Sequence, residues 1–138
     1  MAIRTRNLDE KLQDRHKDLY INTINSAATL EHVLFVAPED CTVKSVDIYS
    51  VGGFSGNSSE TLAFTVQVGS ASGTVLAARG STQSLTTTQN LTAFTRYRLS
   101  ATGNNSLTAG AILVLNVSSV CNAQLSAVTV QTTYRPKT

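Results

Sequence analysis

The chain has 138 residues, 41% of them hydrophobic, enough for one domain whose core needs neither a metal nor a disulfide to fold. Charged residues make up only 14%, against roughly 25% in ordinary globular proteins, and Ser, Thr, Asn and Gln take their place. A formal net charge of +2 is too small to argue for nucleic acid by field strength, and the longest apolar runs are strand-sized, which excludes a membrane-spanning helix.

The charge is unevenly placed. Residues 1–18 hold nine charged side chains (Arg4, Arg6, Asp9, Glu10, Lys11, Asp14, Arg15, Lys17, Asp18), whereas residues 61–134 contain no acid and only Arg79, Arg96 and Arg98. The expected division is a contact arm, residues 1–18, and a β-sandwich domain, residues 19–138. The opening Met1-Ala2-Ile3-Arg4-Thr5-Arg6 has no apolar run behind it, so no secretory signal is expected. Cys41 and Cys121 lie far apart without a CxxC spacing and are expected to be free thiols in a reducing cytoplasm.

In chain order, residues 1–7 lack periodicity and are expected to be extended. Asn7 with Glu10 fits a capping box, and Leu8 and Leu12 stand four apart, so a short helix is expected over residues 8–17. A stripe of two leucines is too narrow to hold that helix down by burial, so a second subunit is the candidate for ordering it, with its own β domain as the alternative.

Strands are then expected over residues 19–24, 31–37 and 42–49. Pro38 stops the second, and the change of phase between Val43 and the Val46, Ile48 pair predicts a bulge in the third. Residues 50–60, with three glycines, read as a long loop. Residues 61–68 alternate Leu62, Phe64, Val66 and Val68 with Thr61, Ala63, Thr65 and Gln67, the pattern of a strand with one buried face. A five-residue loop and a return strand over residues 74–78 complete a hairpin.

The polar connection over residues 79–90 is long enough to cross between sheets. It leads to a strand over residues 91–100 with Arg96 and Arg98 opposite Tyr97 and Leu99. Residues 111–117 are apolar on both faces, hence a central strand covered twice. The last strand, residues 125–134, places Val128, Val130 and Tyr134 on one face and Thr129, Gln131 and Thr133 on the other. About eight short strands without an internal helix define an all-β chain, a single jelly-roll-like β-sandwich with an extended, partly helical arm; an up-and-down barrel is the weaker alternative.

No constellation for catalysis emerges, and no enzyme, cofactor or metal is expected. Gly52-Gly53-Phe54-Ser55-Gly56 fits neither a phosphate loop nor a nucleophile elbow. His16 and His32 have no evident nucleophile or orienting acid. Asp14, His16 and Asp18 could be drawn as metal ligands, but a helix would point His16 away from both aspartates. Phe54 is the one aromatic in a long loop that could serve a sugar, and the acids of a lectin site are missing. Arg96, Tyr97 and Arg98 could stack and pair with a base, or equally form an intersubunit contact.

Four stretches carry a family resemblance: Ala37-Pro38-Glu39-Asp40-Cys41-Thr42-Val43-Lys44-Ser45-Val46, residues 62–69, residues 107–114, and the terminal Val128-Thr129-Val130-Gln131-Thr132-Thr133-Tyr134-Arg135-Pro136. Together they resemble the small β-sandwich decoration (cement) proteins and head-fibre bases of tailed bacteriophages. The resemblance implies a structural virion protein on the capsid exterior, made in the host cytoplasm, that bridges neighbouring subunits of the major capsid protein as a homotrimer, without nucleic acid or membrane as partner. It gives capsid binding to the arm, with Ile3, Leu8 and Leu12 as apolar anchors and Arg4, Arg6, Arg15 and Lys17 as cations for an acidic shell. The oligomer interface would include Arg96, Tyr97 and Arg98. The alternative is a receptor- or glycan-binding fibre module of a virion.

Overall fold

A computed structural model describes residues 13–24, 29–55, 59–69, 75–78, 83–85, 90–99, 106–120 and 125–137. Among them every regular element is a strand: β1 (Arg15–Ile24), β2 (Thr29–Val36), β3 (Cys41–Ser50), β4 (Phe54–Ser55), β5 (Thr61–Gly69), β6 (Val75–Ala78), β7 (Gln83–Leu85), β8 (Asn90–Leu91), β9 (Tyr97–Leu99), β10 (Ser106–Leu107), β11 (Ile112–Val120) and β12 (Leu125–Pro136). The first sheet runs β1-β12-β3-β10, with β9 also on β3, and the second runs β2-β11-β5-β6, with β7 also on β5. All pairings are antiparallel. The all-β expectation and the two-sheet architecture therefore hold.

The core lies between the sheets because both present the apolar member of a period-two pattern inward. The first contributes Ile21, Val46, Ile48, Leu99, Val128 and Val130, the second Leu62, Phe64, Val66, Leu113, Leu115 and Val117, all buried. Aromatic pairs cross the gap. Phe64 meets Tyr97 with ring centroids 6.3 Å apart, and Phe35 stacks on Tyr134 at 4.8 Å.

Two bulges set which residues reach the core. On β3 the register against β12 shifts so that Thr133 faces Ser45 while Tyr134 faces Val43, leaving Lys44 as the extra residue. This is the phase change expected from Val43, Val46 and Ile48; it turns Cys41 and Val43 inward along with the later pair. On β2, Phe35 faces Leu113 and Val33 faces Val114, so Leu34 is the extra residue and both Leu34 and Phe35 are buried.

Several boundaries differ from those expected. Arg15, His16 and Lys17, the end of the expected helix, belong to β1 and pair with Tyr134, Thr133 and Thr132 of β12. A marginal helix of ten residues gains less than a strand in continuous register with a neighbour, because each residue added to the ladder brings interstrand bonds already positioned by β12. Gln13 and Asp14 are also non-helical, and the remainder of the expected helix, with Leu8 and Leu12, lies outside the described residues. The strand expected over 91–100 is two pieces, β8 and β9, parted by a turn in which the Thr95 amide donates to the Thr92 carbonyl at 3.2 Å. Within the connection over 79–90, β7 pairs with β5 and stays in the second sheet.

Cys41 is a free thiol buried completely in the core. Burial, then the neighbouring Glu39 and Asp40 charges, raise its pKa above the ordinary 9.0. A folded-state pKa above the unfolded one stabilises the fold below the unfolded value and is lost as the pH climbs. The melting temperature should therefore fall from about pH 9 upward, and a Cys41→Ala variant should lose that part of the slope. Equal slopes in the two proteins would show that the thiol does not titrate with unfolding.

Candidate interaction surfaces

The first surface is the entry of the chain into β1. Asp14 accepts from the Arg135 guanidinium at 2.8 Å, and Arg15 reaches Glu39 at 3.5 Å. His16 Nδ1 lies 2.9 Å from the Thr133 hydroxyl. In a strand, His16 and Asp18 share a face, contrary to the helical expectation, yet Asp14 and His16 are already engaged. Among the described residues no group of three His, Cys, Asp or Glu is placed to hold a metal. Lys17 is exposed. Ile3, Arg4, Arg6, Leu8 and Leu12 lie outside the described residues.

The second surface is β9. Its alternation is as expected: Leu99 is buried, Tyr97 points inward to Phe64, and Arg98 points out. Burial raises the Tyr97 pKa. Arg98 grips Asp47 with two bonds, Nε to Oδ1 at 2.8 Å and Nη2 to Oδ2 at 3.1 Å. Asp47 sits on the outer face of β3, yet its side chain is only 3% exposed. The fork thus satisfies a carboxylate that water barely reaches, and the hydrogen bond to Asp47 pushes the Arg98 pKa up. Arg96 is exposed. Of the three residues assigned to an oligomer interface, Arg96 and Arg98 face outward and Tyr97 belongs to the core side.

The third surface is the end of the sandwich where β3 finishes. Phe54, the loop aromatic considered for a sugar, is buried and pairs with Leu91 in the β4-β8 ribbon. At this end the exposed aromatic is Phe94, 78% open to solvent and held at a φ of +59°. Its amide donates to the Ser50 carbonyl at 2.9 Å, and Gly53 passes so close that an added Cβ would lie 3.1 Å from the Leu91 carbonyl oxygen. A bulky side chain in the left-handed region costs about 1–2 kcal/mol, so Phe94→Gly should stabilise the fold by about 0.5–1 kcal/mol after glycine's entropic penalty. Thermal unfolding checks this, and a loss of stability would mean that the ring packs against the domain. Nothing in the sequence marks Phe94, because its exposure depends on the turn that splits β8 from β9.

The fourth surface is the outer face of the second sheet. Val33 pairs with Val114, and Val36 with Ile112, forming a two-by-two block of β-branched aliphatics on the side opposite Leu113 and Leu115. Val33 and Val36 are 52% and 54% exposed. The two-sided apolar pattern of residues 111–117 had pointed to double coverage. Among the described residues, the inner side is buried and the outer side is only half-buried.

No family model and no curated protein matches the chain. Among solved structures, it aligns with a chain of infectious bursal disease virus, Gx strain, at 14% identity and a TM-score of 0.43, covering 88% of this chain and 32% of that one. The Gt strain gives 11% identity, a TM-score of 0.35 and coverage of 91% and 36%. The T13 viral particle of the same virus gives 13%, 0.26, 90% and 39%. The chain thus spans about a third of the length of the virus chains it aligns with. At these TM-scores the likeness carries no weight for fold or function.

Proposed function

We propose that this chain is a structural virion protein that sits on the outside of a capsid as a homotrimer and stabilises it by bridging neighbouring subunits of the major capsid protein. In this reading it catalyses nothing, takes no cofactor, and contacts neither nucleic acid nor membrane. Ile3, Arg4, Arg6, Leu8, Leu12, Arg15 and Lys17 meet the shell, while Arg96 and Arg98 offer outward groups to sister subunits. β1, β2, β3 and β5 alternate between the two sheets and β11 and β12 return to them in turn, which supports reading the sandwich as a jelly roll.

The observation that carries the proposal is the way residues 1–12 are tied to the domain. They lead into β1, which pairs with β12 in unbroken register from Arg15 to Ile24, and ion pairs at Asp14 and Arg15 flank the entry. Interstrand bonds lie perpendicular to the strands, so a pull along β1 loads them together in shear instead of one at a time. That suits a tether under load from a pressurised shell.

A cryo-EM map of the native particle tests the proposal. It should show the sandwich on the outer surface with residues 1–12 against a shell subunit. A map with those residues packed only on their own domain would refute it. The second reading, a glycan-binding module, is favoured by Phe94, an open aromatic flanked by the exposed Thr92 and Thr95. Binding on a glycan array that disappears in Phe94→Ala would support that reading.

A further inference from the structure

We infer that the outer face of the second sheet receives residues 8–12 of a neighbouring copy of this chain, with Leu8 and Leu12 seated on Val33, Val36, Ile112 and Val114. The inference refines the proposed function by moving two of the arm's anchors from the shell to a sister copy, leaving Ile3, Arg4 and Arg6 for the shell. It is tested without any shell present.

The block is unusual for a solvent face. Two exposed valines stand on β2, which ends the order of its sheet and among the described residues pairs only with β11. An open edge beside exposed β-branched side chains is a surface that natural sheets normally blunt with charge or cover. Four aliphatic side chains fall far short of the roughly 800 Å² that each partner buries in a stable interface between folded domains. A short segment with two apolar anchors fits that size.

The chain outside the structure ends close by. Twelve residues precede Gln13. They join β1 at the end of the sandwich where β2 finishes, since Arg15 is ion-paired to Glu39, three residues past Val36. Leu8 and Leu12, four apart, share one face in a helix and in a strand alike, so the match requires no particular conformation. The occupant comes from another copy for a directional reason. β1 runs from this end into the domain, so its line prolonged backward leads away from the chain's own block. Fully extended, twelve residues reach about 40 Å, enough to meet a neighbour.

The test uses the full chain with the photo-crosslinking residue p-benzoylphenylalanine at position 36, prepared in ¹⁵N-labelled and unlabelled forms and mixed before illumination. Mass spectrometry should find labelled-to-unlabelled links that join position 36 to residues 1–12. Links only within one chain, links to the sandwich of another copy, or no link to residues 1–12 would each overturn the inference. The same probe at Val51, at the opposite end of β3, should give no link to residues 1–12; arm links there as strong as at position 36 would show non-specific capture. Sedimentation gives a second readout. Val33→Asp with Val36→Asp should weaken self-association about tenfold or more while the melting temperature of the dilute, dissociated chain stays unchanged, and deleting residues 1–6 should leave self-association intact. A chain that stays monomeric at all concentrations, or association lost on deleting residues 1–6, overturns the inference. Loss of shell binding on that same deletion, with self-association kept, is the expected separation of the two roles.

Discussion

Phe64→Ala is expected to lower the free energy of unfolding by about 3–5 kcal/mol. Phe64 is completely buried in the middle of β5, which lies between β11 and the short β6 and β7, and its ring meets Tyr97 across the gap between the sheets. Removing it costs the transfer free energy of the ring and leaves a cavity that neighbours held by two ladders cannot collapse to fill. Domains of this kind are stable by only about 5–15 kcal/mol, so the variant should sit near the threshold of folding at physiological temperature. Urea unfolding measures it: the midpoint should drop with an unchanged slope. A loss below about 1 kcal/mol would mean that the two sheets do not meet at Phe64.

A pair of truncations separates the arm from the fold. Deleting residues 1–12 should leave the melting temperature essentially unchanged and abolish binding to the particle. Deleting residues 1–18 should in addition destabilise the domain, because it removes four residues of β1 with their partners Tyr134, Thr133, Thr132 and Gln131, together with the ion pairs to Glu39 and Arg135. With interstrand hydrogen bonds worth about 0.5–1.5 kcal/mol each and about one bond per residue removed, the cost is about 2–6 kcal/mol. The comparison matters because the composition of the chain places the arm's boundary at residue 18, inside the ladder. Calorimetry on both truncations, with particle binding scored separately, checks this. Full binding by the shorter chain would remove the arm as anchor, and equal melting temperatures would contradict the β1–β12 register.

What the sequence by itself determined was what can be read from neighbours along the chain. Leu62, Phe64, Val66 and Val68 alternate with polar residues and form β5; Val128 and Val130 against Thr129 and Gln131 do the same for β12; and the phase change at Val43 located the bulge at Lys44. Period two is a local property, and a buried face imposes it wherever a strand packs on one side.

The tertiary structure decided what depends on a distant partner. Arg15, His16 and Lys17 carry a polar pattern suited to a short helix, and only the β12 ladder, more than a hundred positions away, makes them a strand. Phe54 stands in an expected loop and Phe94 in an expected strand, and the structure reverses their exposure. Pairing with Leu91 buries the first, while the hydrogen bond that the Phe94 amide N–H donates to the Ser50 carbonyl holds the second at positive φ in solvent. The apolar outer side of Ile112 and Val114 was visible from the residues, but its alignment with Val33 and Val36 required the second bulge, at Leu34, because register between strands is a non-local choice.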